Sequence, residues 1–499
     1  MRRVLPSDHS MPLFGTESTR HVEQVASAAL PPHALMRRAG DAVARLALAL
    51  APHAECIWVA AGPGNNGGDG LDAAMHLRAA GKHVQVTLQA DASRLPDDAR
   101  DALARAQAAG VHIGLDPAPA LGQKDIAIDA LLGVGADRAP SDALAVRVAE
   151  LNRLRCSVLA VDVPSGLHSS TGQALGDACV RARHTAALLT LKPGLFTASG
   201  RDHAGVVWFD DLGVDSSRAE PDAWLVGSDS ATLPPRRHAQ HKGSFGDVAI
   251  VGGAPGMTGA ALLAARAAHA AGAGRVYVSL LDGGSLSHDP LRPELMFRDG
   301  WWRGSESMLV KATVVCGCGG GIAVREPLAR LLSTVGRLVL DADALNLIAQ
   351  DSALQRLLQS RHARQRATVL TPHPLEAARL LGCDVVQLQG DRIDAARRLA
   401  DRFACVVLLK GSGSVIAAPG GVPRINSTGN AALASAGTGD VLAGWLGGRW
   451  AQRAPSDNAF RDAMNAACAA AYAHGAVADD ASTQVIRADD LIERLHAGH

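Results

Sequence analysis

The chain has 499 residues with 49 Lys+Arg against 49 Asp+Glu. At roughly 100–200 residues per domain that length means two or three domains, and the charge balance gives no basic surplus for a nucleic acid or a membrane surface. Apolar residues at 47% and charged residues at 20% exclude disorder over most of the chain. The opening MRRVLPSDHSMPLF is basic but lacks the apolar run of an export signal. The longest apolar stretch, 259–274, is interrupted by Arg266, His269 and Gly272, so it reads as a helix of a soluble domain and no membrane partner is expected. Eight cysteines lie scattered in apolar segments without a disulfide framework, which points to the cytoplasm.

Strand-like runs at 56–61, 84–88, 126–131, 158–163 and 186–191 alternate with Ala-rich segments such as 71–80, whose apolar spacing suits a helix. This alternation predicts an α/β domain with a parallel sheet between helices, a Rossmann-like three-layer arrangement. The stretch 213–246 is rich in Ser, Asp, Pro and charge and lacks periodicity, which places a boundary there and predicts domains 1–222 and 223–499. The second half restarts with a strand at 248–251, a helix at 259–271 and strands at 276–280, 314–316, 338–340, 369–371 and 406–409. A short strand pair at 414–417 and 422–425 precedes helical segments at 438–450 and 460–478, completing a second doubly wound α/β unit.

The run at 56–61 leads into Gly62-Pro63-Gly64-Asn65-Asn66-Gly67-Gly68-Asp69-Gly70. A strand, a glycine-rich turn and a helix in that order present backbone N–H groups to an anion. The two asparagines and Asp69 add groups that bind ribose hydroxyls or a cation, which a turn that is only flexible has no need of. Two polar clusters follow later strands: Asp129-Ala130-Leu131-Leu132-Gly133-Val134-Gly135 and Val161-Asp162-Val163-Pro164-Ser165-Gly166-Leu167. Ligands of open parallel sheets bind beyond the carboxyl ends of the strands, so all three clusters can line one cleft. Each Asp taken alone could equally cap a helix or anchor a turn.

These strings, flanked by Met36-Arg37-Arg38-Ala39-Gly40 and Leu191-Lys192-Pro193-Gly194, resemble the NAD(P)H-hydrate epimerase family. The resemblance implies that Asn65, Asn66, Gly67, Gly68 and Asp69 contact a hydrated nicotinamide nucleotide. The loop Gly133, Val134, Gly135, Ala136, Asp137, Arg138 and Ala139 is implied to do the same, with Asp162 facing the reacting ring. It also implies a potassium ion, K+, on Asn66, Asp129 and Ser165, whose oxygens are hard ligands. Inverting a carbinolamine-like carbon needs one positioned acid/base to help hydroxide leave and return. Asp162 is the candidate; the alternative is a strand-end carboxylate that fixes the turn at 164–166.

In the second half, Asn426-Ser427-Thr428-Gly429-Asn430 precedes Gly437-Thr438-Gly439-Asp440 at the start of an apolar helix. Successive N–H groups there can hold a transferring phosphoryl while Asp440 accepts a hydroxyl proton, a phosphotransfer site without a Walker motif. A plain helix cap is the alternative. Upstream, Lys410-Gly411-Ser412-Gly413-Ser414 follows a strand, and Lys410 can neutralise phosphate or sit in a solvated turn. Asp341 and Asp343 read equally as Mg2+ ligands or loop anchors, and His373, between two prolines at a helix entry, as aimed at a cleft or structural. Cys316-x-Cys318 has no second ligand pair at zinc spacing nearby.

His241-Lys242-Gly243-Ser244-Phe245-Gly246, the segment Leu340-Asp341-Ala342-Asp343-Ala344-Leu345-Asn346, and Thr371-Pro372-His373-Pro374 resemble the ribokinase-like, ADP-dependent NAD(P)H-hydrate dehydratases. That resemblance implies hydrate contacts from Ala260, Gly319, Gly321, His373 and Asp440, and ADP contacts from Lys410, Gly411, Ser412, Gly413, Ser414 and Gly439. The turn Gly317-Cys318-Gly319-Gly320-Gly321 departs from the family pattern, with Cys318 and Gly320 where Pro and Leu are commoner. The expected ligands are NADHX or NADPHX, ADP, Mg2+ and K+, and the expected assembly is a homo-oligomer. A thiazole- or pyrimidine-type small-molecule kinase, or a nucleotide sensor without turnover, are the competing readings.

Overall fold

The computed structural model describes residues 1–233, 235–481 and 483–498. Two compact units emerge, the first formed by Met1–Ser7 and Pro12–Ala223, the second by Asp8–Met11 and the residues from Trp224 onward.

The first unit is built on a sheet in the order Arg2–Arg3, Val206–Asp210, His184–Leu188, Ser157–Val161, Ile126–Ala130, Cys56–Ala61, His83–Leu88, His112–Gly114. Only Arg2–Arg3 runs antiparallel to its neighbour. Side chains alternate between two buried faces. Ile57, Val59 and Ala61 pack with one helical layer, whereas Trp58 and Ala60 pack with the other. From Cys56–Ala61 the chain builds outward to His83–Leu88 and His112–Gly114, then returns to add Ile126–Ala130 on the other side. The order therefore reverses between Cys56–Ala61 and Ile126–Ala130, where a crevice opens at the strand ends.

The second unit repeats this logic. Strands Met296–Phe297, Arg275–Leu280, Asp247–Gly252, Thr313–Cys316, Arg337–Leu340, Thr368–Leu370 and Val406–Leu409 are parallel neighbours. Val415–Ala417 and Arg424–Ile425 then continue antiparallel. Here the order reverses between Asp247–Gly252 and Thr313–Cys316.

Several boundaries differ from the sequence expectations, and the differences matter for chemistry. The helix expected at 71–80 starts at Asn65, so the Asn65–Gly70 string forms its first turns rather than a loop. The strand expected to reach 163 stops at Val161, and Asp162 turns into the left-handed region with φ of 65°. Helices Thr16–Ala29, Ala34–Leu50 and Ala488–Ala497 were not anticipated. Among the described residues, no helix is long and apolar enough to cross a membrane.

Helix Thr438–Ala451, which carries Asp440 in its first turn, lies against helix Thr258–Ala270 through small residues. A Cβ on Gly444 would run into the Ala264 carbonyl, and one on Gly448 into Ala268. The two glycines are four apart, as are the two alanines, so one smooth stripe faces another. Replacing Gly444 by Ala forces the helices apart; we expect a loss of about 1–3 kcal/mol, typical of overpacking. Denaturant unfolding of the second unit checks this, and an unchanged midpoint would show that the stripe tolerates the methyl group.

Candidate functional site

The crevice of the first unit holds a cavity of about 960 Å3. Of the residues expected there, Asn65, Asn66, Asp69, Asp162 and the whole loop from Gly133 to Ala139 border it. Gly67 and Gly68 do not. A Cβ on Gly67 would collide with the Gly62 carbonyl, and one on Gly68 with Met36 and Ala99, so these glycines let the helix start approach its neighbours closely.

Asp162 is fixed by groups from the strand end that follows it. Lys192, fully buried, directs its ammonium to the Asp162 carboxylate and to the carbonyls of Leu188 at 2.7 Å and Thr190 at 3.0 Å. The Leu188 N–H donates to the same Asp162 oxygen at 3.2 Å. Asp69 borders the cavity and forms no ion pair with any described residue. Burial, then the negative charges of Asp162, Glu23 and Asp72, hold its carboxyl well above the usual carboxylate range, with Lys192 opposing. Glu23, from helix Thr16–Ala29, also borders the cavity and is pushed up by burial and by Asp162.

Asp129 and Ser165 pair behind the cavity wall, and Asn66, on the wall, is linked to them through the Leu132 backbone. The Ser165 hydroxyl donates to Asp129 at 2.6 Å, the Ser165 N–H donates to its other oxygen at 2.8 Å, and the Leu131 N–H donates at 3.3 Å. Asn66 donates its amide to the Leu132 carbonyl at 2.9 Å, and the Leu132 N–H donates to the Ser165 hydroxyl at 2.8 Å. Burial raises the Asp129 carboxyl to about 6.

In the second unit, Asp440 sits three residues beyond Gly437, whose φ of 88° is the left-handed turn that starts the helix. Lys410 makes an ion pair with Asp341 at 2.8 Å, and its ammonium lies 3.4 Å from where a Gly439 Cβ would be, beside the amides of the helix start. Cys318, Asp341 and Asp440 bring one ligand-type atom each to within 4.8 Å of one another. Burial, then Asp341, raises the Asp440 carboxyl to about 6, while Lys410 and the Cys318 thiol oppose the rise. The buried His474 donates its Nε2 hydrogen to the Thr438 carbonyl at 2.9 Å, and burial lowers it to about 4, so it is neutral and steadies the helix start.

The other expected residues occupy defined places. Ala260 lies in the first turn of helix Thr258–Ala270, close enough to Gly319 that a Cβ on that glycine would press on it. The Gly321 N–H donates to Asp343 at 2.8 Å, so Asp343 anchors the glycine turn. Gly411 has φ of 143° and lies on the Arg392 guanidinium, which donates to the Lys410 carbonyl at 3.1 Å. The Ser414 hydroxyl bridges the Gly411 N–H at 3.3 Å and its carbonyl at 3.1 Å, closing the turn that contains Ser412 and Gly413. His373 is a helix cap: its Nδ1 accepts from the Leu375 N–H at 3.1 Å, while Glu376 accepts from the His373 N–H at 2.8 Å. A hollow in this unit, about 1330 Å3 and bordered by Arg337, Trp445 and Arg449, includes none of the expected residues.

Sequence reasoning assigned no role to Glu23, Lys192, Glu376 or Cys318. Glu376 is the one with a readable signal, because it stands three residues after the cap at His373 in a capping-box spacing. It is buried, and burial raises its carboxyl to about 7.

A family model described as NAD(P)H-hydrate dehydratase matches residues 248–496, and one described as YjeF-related protein N-terminus matches residues 32–194. The bifunctional NAD(P)H-hydrate repair enzyme Nnr of Escherichia coli (strain K12) is 38% identical over 461 residues, spanning 89% of this chain and 84% of that protein. The enzyme of the same name from Coxiella burnetii is 34% identical over 489 residues and spans 95% of each chain. The crystal structure of the ADP/ATP-dependent NAD(P)H-hydrate dehydratase of Bacillus subtilis, grown with ATP/Mg2+, is 30% identical, covers 53% of this chain and 93% of its own, and gives a TM-score of 0.43. With both family models matched and relatives aligned along most of its length, the chain belongs to the bifunctional NAD(P)H-hydrate repair enzymes, joining an epimerase and a dehydratase on one polypeptide.

Proposed function

We propose that the first unit interconverts the R and S forms of hydrated NADH and NADPH, and that the second dehydrates the S form at the expense of ADP. The observation that carries the second half is the grouping of Asp440, Lys410 and the glycine-started helix, which sets a proton acceptor beside two kinds of anion holder. Asp440 takes the proton of the hydrate hydroxyl as its oxygen bonds to the β-phosphorus of ADP, releasing AMP. Phosphate is a better leaving group than hydroxide. The ring nitrogen's lone pair expels it, and loss of a proton from the adjacent ring carbon restores the dihydronicotinamide. Lys410 and the N–H groups of residues 437–439 hold the migrating negative charge.

Asp341 offers carboxylate oxygens of the kind Mg2+ takes, and such an ion would supply charge neutralisation for the bound nucleotide. Lys410 to Ser414 and Gly439 remain the proposed ADP contacts, and Ala260, Gly319, Gly321 and His373 the proposed hydrate contacts. In the first unit, Asp129 is a buried carboxylate that accepts from hydroxyl and amide donors alone, and no basic side chain among the described residues pairs with it. Asp129, Ser165 and the Asn66 carbonyl therefore suit K+, which would neutralise that charge and fix the neighbouring loop. Housing both activities on one chain lets either epimer be repaired.

Two outcomes test this reading. Asp440→Asn is expected to cut NADH formation from the S hydrate and ADP by about 10²–10⁴-fold while epimer exchange persists, and Asp162→Asn to do the reverse. Absorbance of NADH and chromatography of the epimers read the two reactions; one substitution silencing both would contradict separate sites. The second concerns pH. A base whose carboxyl is raised to about 6 must lose its proton to act, so kcat/KM of the dehydratase falls as pH drops through about 6 and levels off above it. A limb near pH 4 would remove Asp440 from the role of base.

A further inference from the structure

The first unit's cavity contains more acid than its proposed chemistry has so far used. Asp69, Asp162 and Glu23 all border it, and one lysine, Lys192, stands among them. Lys192 is committed: its contacts go to the Asp162 carboxylate and to the carbonyls of Leu188 and Thr190. The Asp69 side chain has no hydrogen bond or ion pair with any described residue, although it lies half-buried near the start of helix Asn65–Ala79. The other charged groups bordering the cavity are Arg20, Asp98, Asp137 and Arg138. None of them forms an ion pair with Asp69. Asp72, one turn further along the same helix, faces Arg105 instead.

Resting on the epimerase reading, we propose that Asp69 is a second catalytic residue of the epimerisation, the group that delivers a proton to the departing hydroxyl, with Lys192 acting as a positioning residue that holds the Asp162 carboxylate in place. Two carboxyl groups on one wall thereby take different roles. Asp162 is paired with the one lysine that borders the cavity, and Asp69, facing the negative charges of Asp162, Glu23 and Asp72 with no ion pair among the described residues, binds its proton more tightly than an ordinary aspartate.

The step balances as follows. The Asp69 proton moves to the oxygen on the hydrated ring carbon, the carbon–oxygen bond breaks, and the ring nitrogen's lone pair forms a nitrogen–carbon double bond as water leaves. Water then adds to either face of the planar cation. The double-bond electrons return to nitrogen, and the proton of the added water passes to the Asp162 carboxylate. Solvent exchange resets the pair before the next turnover. The left-handed backbone of Asp162, unusual for a residue with a side chain, fits a carboxylate held where this chemistry needs it.

The test uses the full-length protein with the R hydrate of NADPH, following its conversion to the S form by chromatography without ADP. Asp69→Asn is expected to lower kcat for exchange at least 100-fold with KM changed less than about threefold, and Asp69→Glu to restore part of the rate. In the wild type, the rate should fall on the alkaline side as Asp69 loses its proton, and this limb should be missing in Asp69→Asn. Lys192→Met, which removes the ammonium that orients the Asp162 carboxylate, should lower kcat for exchange with little change in KM. Dehydratase activity with the S hydrate and ADP, retained in every variant, reports that the chain is folded. An Asp69→Asn enzyme exchanging within tenfold of wild type, or one whose loss lies in KM and is not rescued by Glu, overturns the proposal. A wild-type protein that exchanges no epimers overturns instead the epimerase reading on which it rests.

Discussion

One ammonium can satisfy one carboxylate, and both units place more than one carboxylate around it. In the first unit Lys192 pairs with Asp162 and leaves Asp69 without a cation; in the second Lys410 pairs with Asp341 and leaves Asp440 in the same condition. Removing a charged group from water is costly unless it is paired, so the leftover carboxyl binds its proton more tightly. The shift is upward in both sites, yet the chemistry proposed for the two differs. Asp440, at about 6, is ionised at neutral pH and suited to accept a proton, whereas Asp69 stands well above the usual range and is suited to give one.

The fold creates these sites by the same device twice. Each sheet reverses strand order, between Cys56–Ala61 and Ile126–Ala130 in one unit and between Asp247–Gly252 and Thr313–Cys316 in the other. Glycines at these places serve close packing as often as ligand approach. Gly67 and Gly68 let a helix start settle beneath the cavity, while Gly444 and Gly448 bring helix Thr438–Ala451 onto Ala264 and Ala268 and so carry Asp440 to Lys410. The lysines arrive from the residues after strand ends, Lys192 beyond His184–Leu188 and Lys410 directly after Val406–Leu409.

Much of this was legible in the sequence because it was written in short strings. The alternation of apolar runs and Ala-rich segments marked both parallel sheets, and the strings around Asn65, Asp162 and Asp440 marked three of the places where groups converge. What stayed hidden depends on contacts between distant segments. Lys192 and Asp162 are thirty residues apart, and Lys410 and Asp341 sixty-nine, so no local pattern announces either ion pair. Glu23 sits on a helix whose presence before the first central strand was not foreseen. His373 illustrates the converse: the rigid Pro-His-Pro setting drew attention to its ring, and its Nδ1 caps the helix that begins at Pro374.

The account depends on an unpaired acid in each unit keeping its proton at a pH where ordinary aspartates have lost theirs. Carboxyl carbon NMR on protein labelled at aspartate Cγ, with Asp69→Asn and Asp440→Asn spectra to assign the signals, measures that directly. Titration of Asp440 near pH 6, and of Asp69 well above the usual carboxylate range, is the predicted result. Both carboxyls titrating near pH 4, as free aspartates do, would contradict it.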